Sequence, residues 1–545
     1  MVSRKISVAN KHMLEFYLIP FIIFAAAFLF RAAFIGTYMG QDEVYYVGYA
    51  SDLLHGKSFA NVFPPLFEMI LVPVLWLSGE SEVVVHIFMA VLGALTVLFV
   101  YLIGRKFFNP WVGIIAAVLL MFNTTHWFFS AFGMLDVPAT LFAVSAIYFL
   151  WSGYVEKNKK YLAVGSLLNV AAVFVRYTIF PSAALLGYWL LFDRSALRNK
   201  KLLLVVFLPF IAWGLWMLYF VTQQGWLWGW WQQYVTGQLS INVPWYFYFQ
   251  AVRFEFLGPM LTLFAIFTSL MLIFKKVVLP KYSRGLEYPF LVLFIGVAYY
   301  MSQSVFLQPT EEAAIGFVTL GLMLLYFFKL SDVRKIIGRR LEVADFSKFL
   351  VLLVLAVFVF YSPLGVKFPR YVMSALPAIY LFVGALVYQV KNYRIYFVAA
   401  VVVLAMFAFV NAEDTINKLV VDRTINEVKY AAQKHINDNS PACSTVYSRT
   451  WYGFYYLRSR ITDLPGDVES LKNNIRSSCS CPPQYFIVEG ALENNLSEVA
   501  TKEKTFQQDS VRYKLTAEGI KSETAYISAV DVYRINDAVV KEQCG

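Results

Sequence analysis

The chain has 545 residues, of which 59% are hydrophobic, 18% aromatic and only 15% charged. A soluble globular chain carries about 25% charged residues, so this one is too apolar to be soluble along its whole length, and disorder, collagen and coiled coil are excluded with it. The net charge of +11 divides unevenly: residues 1–411 hold 30 of the 46 Lys and Arg and 17 of the 35 Asp and Glu, leaving 16 and 18 for residues 412–545.

A membrane span needs about 20 apolar residues. In chain order, spans are expected near 14–37, 81–104, 111–130, 137–154, 161–177, 178–192, 201–222, 252–274, 287–305, 313–329, 348–364, 371–389 and 394–411. That makes thirteen. The apolar stretch 62–78 opens with Pro64-Pro65, contains Glu68 and stops three residues before the second span, so it reads as an interfacial helix. Alternate gaps, beginning with the N-terminus, carry 24 Lys and Arg. The other gaps carry only Lys57, Arg176, Arg253, Lys367 and Arg370. This bias sets the N-terminus in the cytoplasm and the region after residue 411 outside. The expected architecture is a mainly α, polytopic protein of the cell membrane with about 13 transmembrane helices over 1–411. A small extracytoplasmic α/β domain follows over 412–545, with a helix near 416–437 and strands near 444–448, 484–488, 511–515 and 527–534.

All four cysteines, Cys443, Cys479, Cys481 and Cys544, fall in that outer region. Disulfides persist outside the cytoplasm. Cys479 and Cys481 are too close to pair comfortably, so each is expected to pair with Cys443 or Cys544, which leaves two connectivities. No cleavable signal peptide is visible, because the first apolar stretch is too long and lacks a small-residue cleavage site. Asn123-Thr-Thr and Asn495-Leu-Ser are acceptor patterns for glycosylation, common by chance.

Three clusters in the outer gaps can carry chemistry. Gln41-Asp42-Glu43-Val44-Tyr45-Tyr46 follows the first span and puts two adjacent carboxylates at the membrane boundary. A carboxylate there suits a general base, or it is a solvated loop pair. Asp136, before Val137-Pro138, is the only charge in its hairpin, and is expected as a functional acid, a helix N-cap or both. Lys367-Phe368-Pro369-Arg370-Tyr371 offers a guanidinium fork that matches phosphate oxygens, or that snorkels to lipid headgroups.

Asp42-Glu43 after the first span, Tyr45 and Tyr46, Pro64-Pro65-Leu66, Asp136-Val137-Pro138, Pro369-Arg370-Tyr371 and Pro377 come in an order that resembles the GT-C class of membrane glycosyltransferases. The likeness is to the branch holding protein O-mannosyltransferases and the aminoarabinose transferase that modifies lipid A, over roughly residues 14–390. It implies a sugar donor linked to a polyprenyl phosphate, an unidentified acceptor (protein, lipid or cell-surface glycan), and an accessory domain over the active site. The pattern is departed from in two places: Phe63 stands where family members often have a donor-binding Lys, and Val44 and Tyr45 stand where an Arg often follows Asp-Glu. Candidate phosphate cations are therefore Lys57, Arg176, Arg253 and Arg370. The Trp-Trp-Asp signature of oligosaccharyltransferases is absent, and the Trp-rich stretch 226–249 reads as an interfacial aromatic belt.

A phosphate-linked sugar has a good leaving group, so one base and a cation suffice, where a glycosidase needs two carboxyls. Asp42 is the expected base, with Glu43 orienting it or pairing with an Arg. Asp136 would support or bind the acceptor, Arg370 would hold the leaving phosphate, and Tyr45, Tyr46, His55 and Tyr371 would contact substrate. Direct displacement predicts inversion. No cofactor is required and no metal ligand set is visible, with a divalent ion left open. Membrane lipid is a partner and nucleic acid is not, since the basic residues face the inner lipid surface. The alternative from another class is a lipid or lipid-linked-sugar transporter, which would place ionisable groups at mid-span along a pathway.

Overall fold

The computed structural model describes residues 17–40, 42–57, 64–224, 243–277, 289, 292–297, 308–330, 342–362, 367–440, 444–448, 456–457, 460–477, 479, 485–488, 496–516 and 519–544. The membrane region is built from α1 (Ile19–Ala32), α2 (Glu43–Leu54), α3 (Leu66–Ser78), α4 (Glu82–Phe107), α5 (Pro110–Met121), α6 (Thr124–Phe129), α7 (Asp136–Val155), α8 (Lys159–Arg176), α9 (Phe180–Phe192), α10 (Lys200–Gln224), α11 (Phe247–Ala251), α12 (Gly258–Val277), α13 (Pro309–Leu325), α14 (Glu342–Tyr361), α15 (Leu376–Gln389) and α16 (Arg394–Asn439). A π-helical turn joins α11 to α12, and a 3-10 turn, Pro369–Ala375, leads into α15.

Helices dominate because lipid offers no hydrogen bonds and a helix satisfies its own backbone. Among the described residues, seven helices are long and apolar enough to cross a bilayer, and four shorter apolar helices accompany them. The chain is a multi-pass membrane protein. Twelve of the thirteen expected spans fall on described helices, and the ninth retains only residue 289 and the helical stretch 292–297 among the described residues. Asparagine caps set the turns. Asn109 accepts the Val112 N–H at 3.0 Å, and Asn158 accepts the Lys160 N–H at 3.0 Å. Asn123 caps α6 and donates to the Glu255 carbonyl at 2.7 Å, so this acceptor pattern is a buried cap.

Helix α3 lies beside α2 at both of its ends. The Phe67 ring meets Tyr46 with centroids 6.2 Å apart, and Glu80, just past α3, accepts the Ser51 hydroxyl at 2.6 Å.

Helix α16 has 46 residues, about 70 Å at 1.5 Å per residue. Its first half buries Tyr396, Ala400, Val403 and Phe407 in the bundle. Its second half buries Val428, Ala432 and Ile436 against Val446, Val530 and Val532 of a five-stranded sheet. The strands are β1 (Thr445–Ser448), β2 (Arg460–Asp463), β3 (Tyr485–Val488), β4 (Ala500–Thr516) and β5 (Gly519–Ile535), in the order β2-β1-β3-β5-β4. β1 runs parallel to β2 and β3, and β5 is antiparallel to β3 and β4. Two corrections follow. β2 was not expected, and the strands expected at 511–515 and 527–534 are parts of a hairpin of two 17-residue strands. Cys479, after helix α17 (Val468–Ser477), is disulfide-bonded to Cys544, the end of helix α18 (Asp537–Cys544), with Cα atoms 5.4 Å apart. Cys443, Cys481, Phe63 and the Trp-rich stretch 226–242 lie outside the described residues.

Candidate active site

One end of the bundle gathers the polar groups. The loop leaving α1, the N-termini of α2, α4 and α7, the C-terminus of α8 and the 3-10 turn before α15 all meet there. Asp42 is the N-cap residue of α2 and makes no capping bond with its side chain. Its carboxylate instead accepts a hydrogen bond from Arg370 Nη2 at 2.8 Å. The carboxylate is 42% exposed and the guanidinium 13%. Phe368 and Phe129 flank the guanidinium, with ring centroids 4.9 and 5.3 Å from its central carbon. Apolar rings thus flank Arg370 beside its bond to Asp42.

Behind this pair sits a second one. Asp136, the first residue of α7, is 1% exposed and bonds Arg176, the last residue of α8. Arg176 lies over the Tyr371 ring at 4.6 Å. Because Tyr371 follows Arg370, the buried pair supports the turn that carries the more open one. Tyr46 is buried between them. Burial holds its phenol well above the ordinary value, with Arg176 opposing that shift and the charges of Asp136 and Asp42 adding to it. The expectation that Asp136 caps its helix is corrected: the cap position is Leu135, and the Asp136 side chain is taken by Arg176.

The expectation for Glu43 is corrected too. It pairs with His86 and, among the described residues, with no arginine. Successive helix residues point about 100° apart, so Glu43 turns inward while Asp42 faces the opening. Glu43 Oε1 accepts the Gly133 N–H at 2.6 Å and lies 2.7 Å from His86 Nε2. His86 Nδ1 lies 2.8 Å from the Gly36 carbonyl. Both imidazole nitrogens face oxygens, the arrangement of an imidazolium–carboxylate pair. A Cβ at Gly133 would sit 2.9 Å from Glu43 Oε1, so any side chain there would displace the Glu43 carboxylate. His86 was not among the expected site residues. An ionisable residue one turn inside an apolar span was the available signal. The same signal marks Arg31, fully buried and 2.9 Å from His126 Nδ1.

The other expected residues have partners of their own. Lys57 bonds Asp52 at 2.7 Å on the surface. His55 is exposed, near Glu80 at 3.4 Å. Arg253 faces Glu312 at 3.4 Å. Tyr45 bonds the Asp42 carbonyl through its backbone N–H at 3.1 Å. Lys367 donates to the Val243 carbonyl at 2.8 Å, and burial lowers its pKa. Among the described residues, no group of three or more His, Cys, Asp or Glu is placed to hold a metal ion.

Residues 63–216 match the dolichyl-phosphate-mannose-protein mannosyltransferase family. A 125-residue stretch is 30% identical to dolichyl-phosphate-mannose–protein mannosyltransferase 1 of Saccharomyces cerevisiae, covering 20% of this chain and only 15% of the yeast protein's length. In fold, the chain is similar to ArnT from Cupriavidus metallidurans, solved bound to undecaprenyl phosphate: TM-score 0.58, 13% identity, 95% of this chain and 98% of that one. It is also similar to the Archaeoglobus fulgidus oligosaccharyltransferase tethered to an acceptor peptide: TM-score 0.50, 12% identity, 94% of this chain and 75% of that one. The chain thus resembles the GT-C class, in fold over nearly its whole length and in family signature over residues 63–216.

Proposed function

We propose that this protein is a glycosyltransferase that moves a sugar from a polyprenyl-phosphate carrier to an acceptor hydroxyl or amine at the outer face of the cell membrane. The observation that carries the reading is the Asp42–Arg370 pair: a half-open carboxylate facing a walled-in cation at the mouth of a GT-C-like bundle. The similar proteins are transferases, which favours this reading over a transporter.

In the proposed reaction the acceptor enters beside Asp42, whose carboxylate takes its proton. The acceptor oxygen or nitrogen attacks the anomeric carbon. The bond from that carbon to the phosphate oxygen breaks, and the carrier phosphate leaves with the electron pair. Arg370 exchanges Asp42 for the departing phosphate oxygens, a match of fork to anion. A single displacement inverts the anomeric centre. Arg176 stays committed to Asp136 and tunes the field without touching the phosphate. With the charge held by arginine, the step needs no metal ion. Lys57 and His55 take no part in this scheme, and Arg253 and Tyr45 are given no role.

The 24-to-5 bias of Lys and Arg supports a cytoplasmic N-terminus. The Cys479–Cys544 disulfide fits an oxidising compartment for residues 412–545, which we take as the outer domain, with the transfer site in residues 1–411. The test is transfer of label. Protein in lipid vesicles receives a panel of radiolabelled polyprenyl-phosphate sugars together with membrane and protein extract. Label moving to an acceptor with wild type, and lost with Asp42→Asn, is the expected result. Asp42→Asn turning over within about threefold of wild type would overturn the base assignment, since a base contributes about 10²–10⁴-fold.

A further inference from the structure

The loop that delivers Asp42 is gripped from two sides. On the membrane side, His86 meets the Gly36 carbonyl at 2.8 Å, and Glu43 accepts the Gly40 N–H at 3.4 Å. On the other side the grip comes from the C-terminal region. Tyr38 stacks on Tyr430 of α16, centroids 4.0 Å apart and planes 15° from parallel. Tyr456, which follows β1 in the chain, sets its edge against both rings at 5.9 and 5.1 Å. Its hydroxyl accepts the Met39 N–H at 2.9 Å and also bonds the Glu82 carboxylate at the start of α4.

Tyr456 is itself pinned to α16. Its N–H donates to Gln433 at 2.8 Å, and its carbonyl accepts from Asn437 at 2.7 Å. Gly40 adds a steric register. A Cβ there would lie 2.3 Å from Asn426 Nδ2, on a buried α16 side chain that already donates to Asp422 at 2.9 Å. The loop therefore touches α16 at a residue where a methyl group fits only if the buried Asn426 side chain is displaced, two positions before Asp42.

We propose that Tyr456 is a positioning residue for transfer: its hydroxyl, with the Tyr38–Tyr430 stack and the Gly40–Asn426 contact, latches the Asp42 loop to the C-terminal region. The C-terminal region thereby becomes a working part of the site. The proposal rests on the transferase reading above. Its physical basis is that a shift of about 1 Å in a catalytic group costs about 10²-fold, and a hydrogen bond to the loop backbone is a direct control on that position. Neither Tyr456 nor Asn426 touches the reacting atoms.

The test has an arm that needs no activity. In the full-length protein, Tyr456→Phe removes the acceptor for the Met39 N–H while keeping the ring. Hydrogen exchange of the peptide containing Met39 is expected to quicken about tenfold. In the transfer assay, turnover is expected to fall about tenfold, with the KM for the polyprenyl-phosphate sugar within about twofold, the signature of lost alignment. A second pair separates misplacement from misfolding. Gly40→Ala is expected to slow turnover about tenfold, and adding Asn426→Ala, which removes the clashing amide, to restore it within about threefold. Unchanged exchange in Tyr456→Phe overturns the latch. Faster exchange with turnover within twofold, or a donor KM that rises as far as turnover falls, overturns its role in positioning. So does a double variant no better than Gly40→Ala alone. Full activity of Asp42→Asn would overturn the base assignment alone, whereas no transfer of any label by wild type would sink the transferase reading and leave the exchange result standing.

Discussion

Two carboxylate–arginine pairs stand at the same end of the bundle, and they differ in where the chain finds them and how much water reaches them. Asp136 and Arg176 end the adjacent helices α7 and α8, with the carboxylate 1% exposed. Asp42 and Arg370 lie 328 residues apart in the chain, with the carboxylate 42% exposed. Removing one partner of a buried pair strands a charge in an apolar surrounding, so the deeper pair is fixed. An ion pair open to water is worth little and exchanges partners readily. On the proposed reading, the same two residue types give a structural strut in one place and a reactive, replaceable contact, open on its Asp42 side, in the other. Tyr371 links them, lying under Arg176 and next to Arg370 in sequence.

The largest effect expected from this contrast is on turnover. Asp42→Asn should lower transfer by about 10²–10⁴-fold, with the unfolding transition in detergent unmoved. Asp136→Asn should shift that transition downward. The contrast breaks if Asp42→Asn destabilises more than Asp136→Asn.

Next comes stability. Arg176→Met leaves Asp136 buried without its cation, a loss of about 3–5 kcal/mol, read by denaturation of the purified protein. Pairing it with Asp136→Leu should recover most of that loss. Failure of the double variant to recover would mean that Arg176 does more than neutralise Asp136.

The sequence carried the acids but not their partners. Asp42, Asp136, Arg370 and Arg176 all follow from span boundaries and short motifs, because a charge at a membrane edge stands out against apolar neighbours. Which arginine meets which acid depends on how α8 and the turn at 369–375 pack, and no local pattern encodes that. Glu43 misled for a simple reason: adjacency in sequence suggests joint action, but a helix sends neighbours in different directions. Lys57, His55 and Arg253 were placed at the outer end by topology alone, and each has a carboxylate neighbour of its own. The twelve spans were legible because hydropathy is a strong signal over 20 residues. The sheet was legible only where it is apolar. Strand β4 opens with Ala-Thr-Lys-Glu-Lys-Thr, mostly exposed, and β2 is Arg-Ile-Thr-Asp, so neither carries the apolar run that marks a core strand.

A smaller effect sharpens the role of Arg370. Arg370→Lys keeps the charge at the mouth but loses the planar fork and its contact with Phe368 and Phe129. A point charge can still attract phosphate, so transfer should fall about tenfold, less than for Asp42→Asn. The loss should appear in kcat, because the fork matters most when the phosphate departs. Unchanged turnover in the lysine variant would make Arg370 a general attractor and leave the leaving group to another residue.

The smallest effect belongs to Lys57, and its smallness is informative. Lys57 is the nearest sequence counterpart of a donor-binding lysine, seven residues before Pro64. Its ammonium is 68% exposed and bonds Asp52, which is itself 44% exposed. A pair so open to water contributes well under about 1 kcal/mol, and the phosphate of a carrier seated at Asp42 has Arg370 at hand. Lys57→Ala should therefore leave turnover and donor KM within about twofold of wild type. Salt should also matter no more in this variant than in wild type. A tenfold rise in donor KM would mean that a surface cation captures the carrier before Arg370 does. The division between a fixed buried pair and one exchangeable pair would then have to admit a third, fully exposed contact on the donor's path.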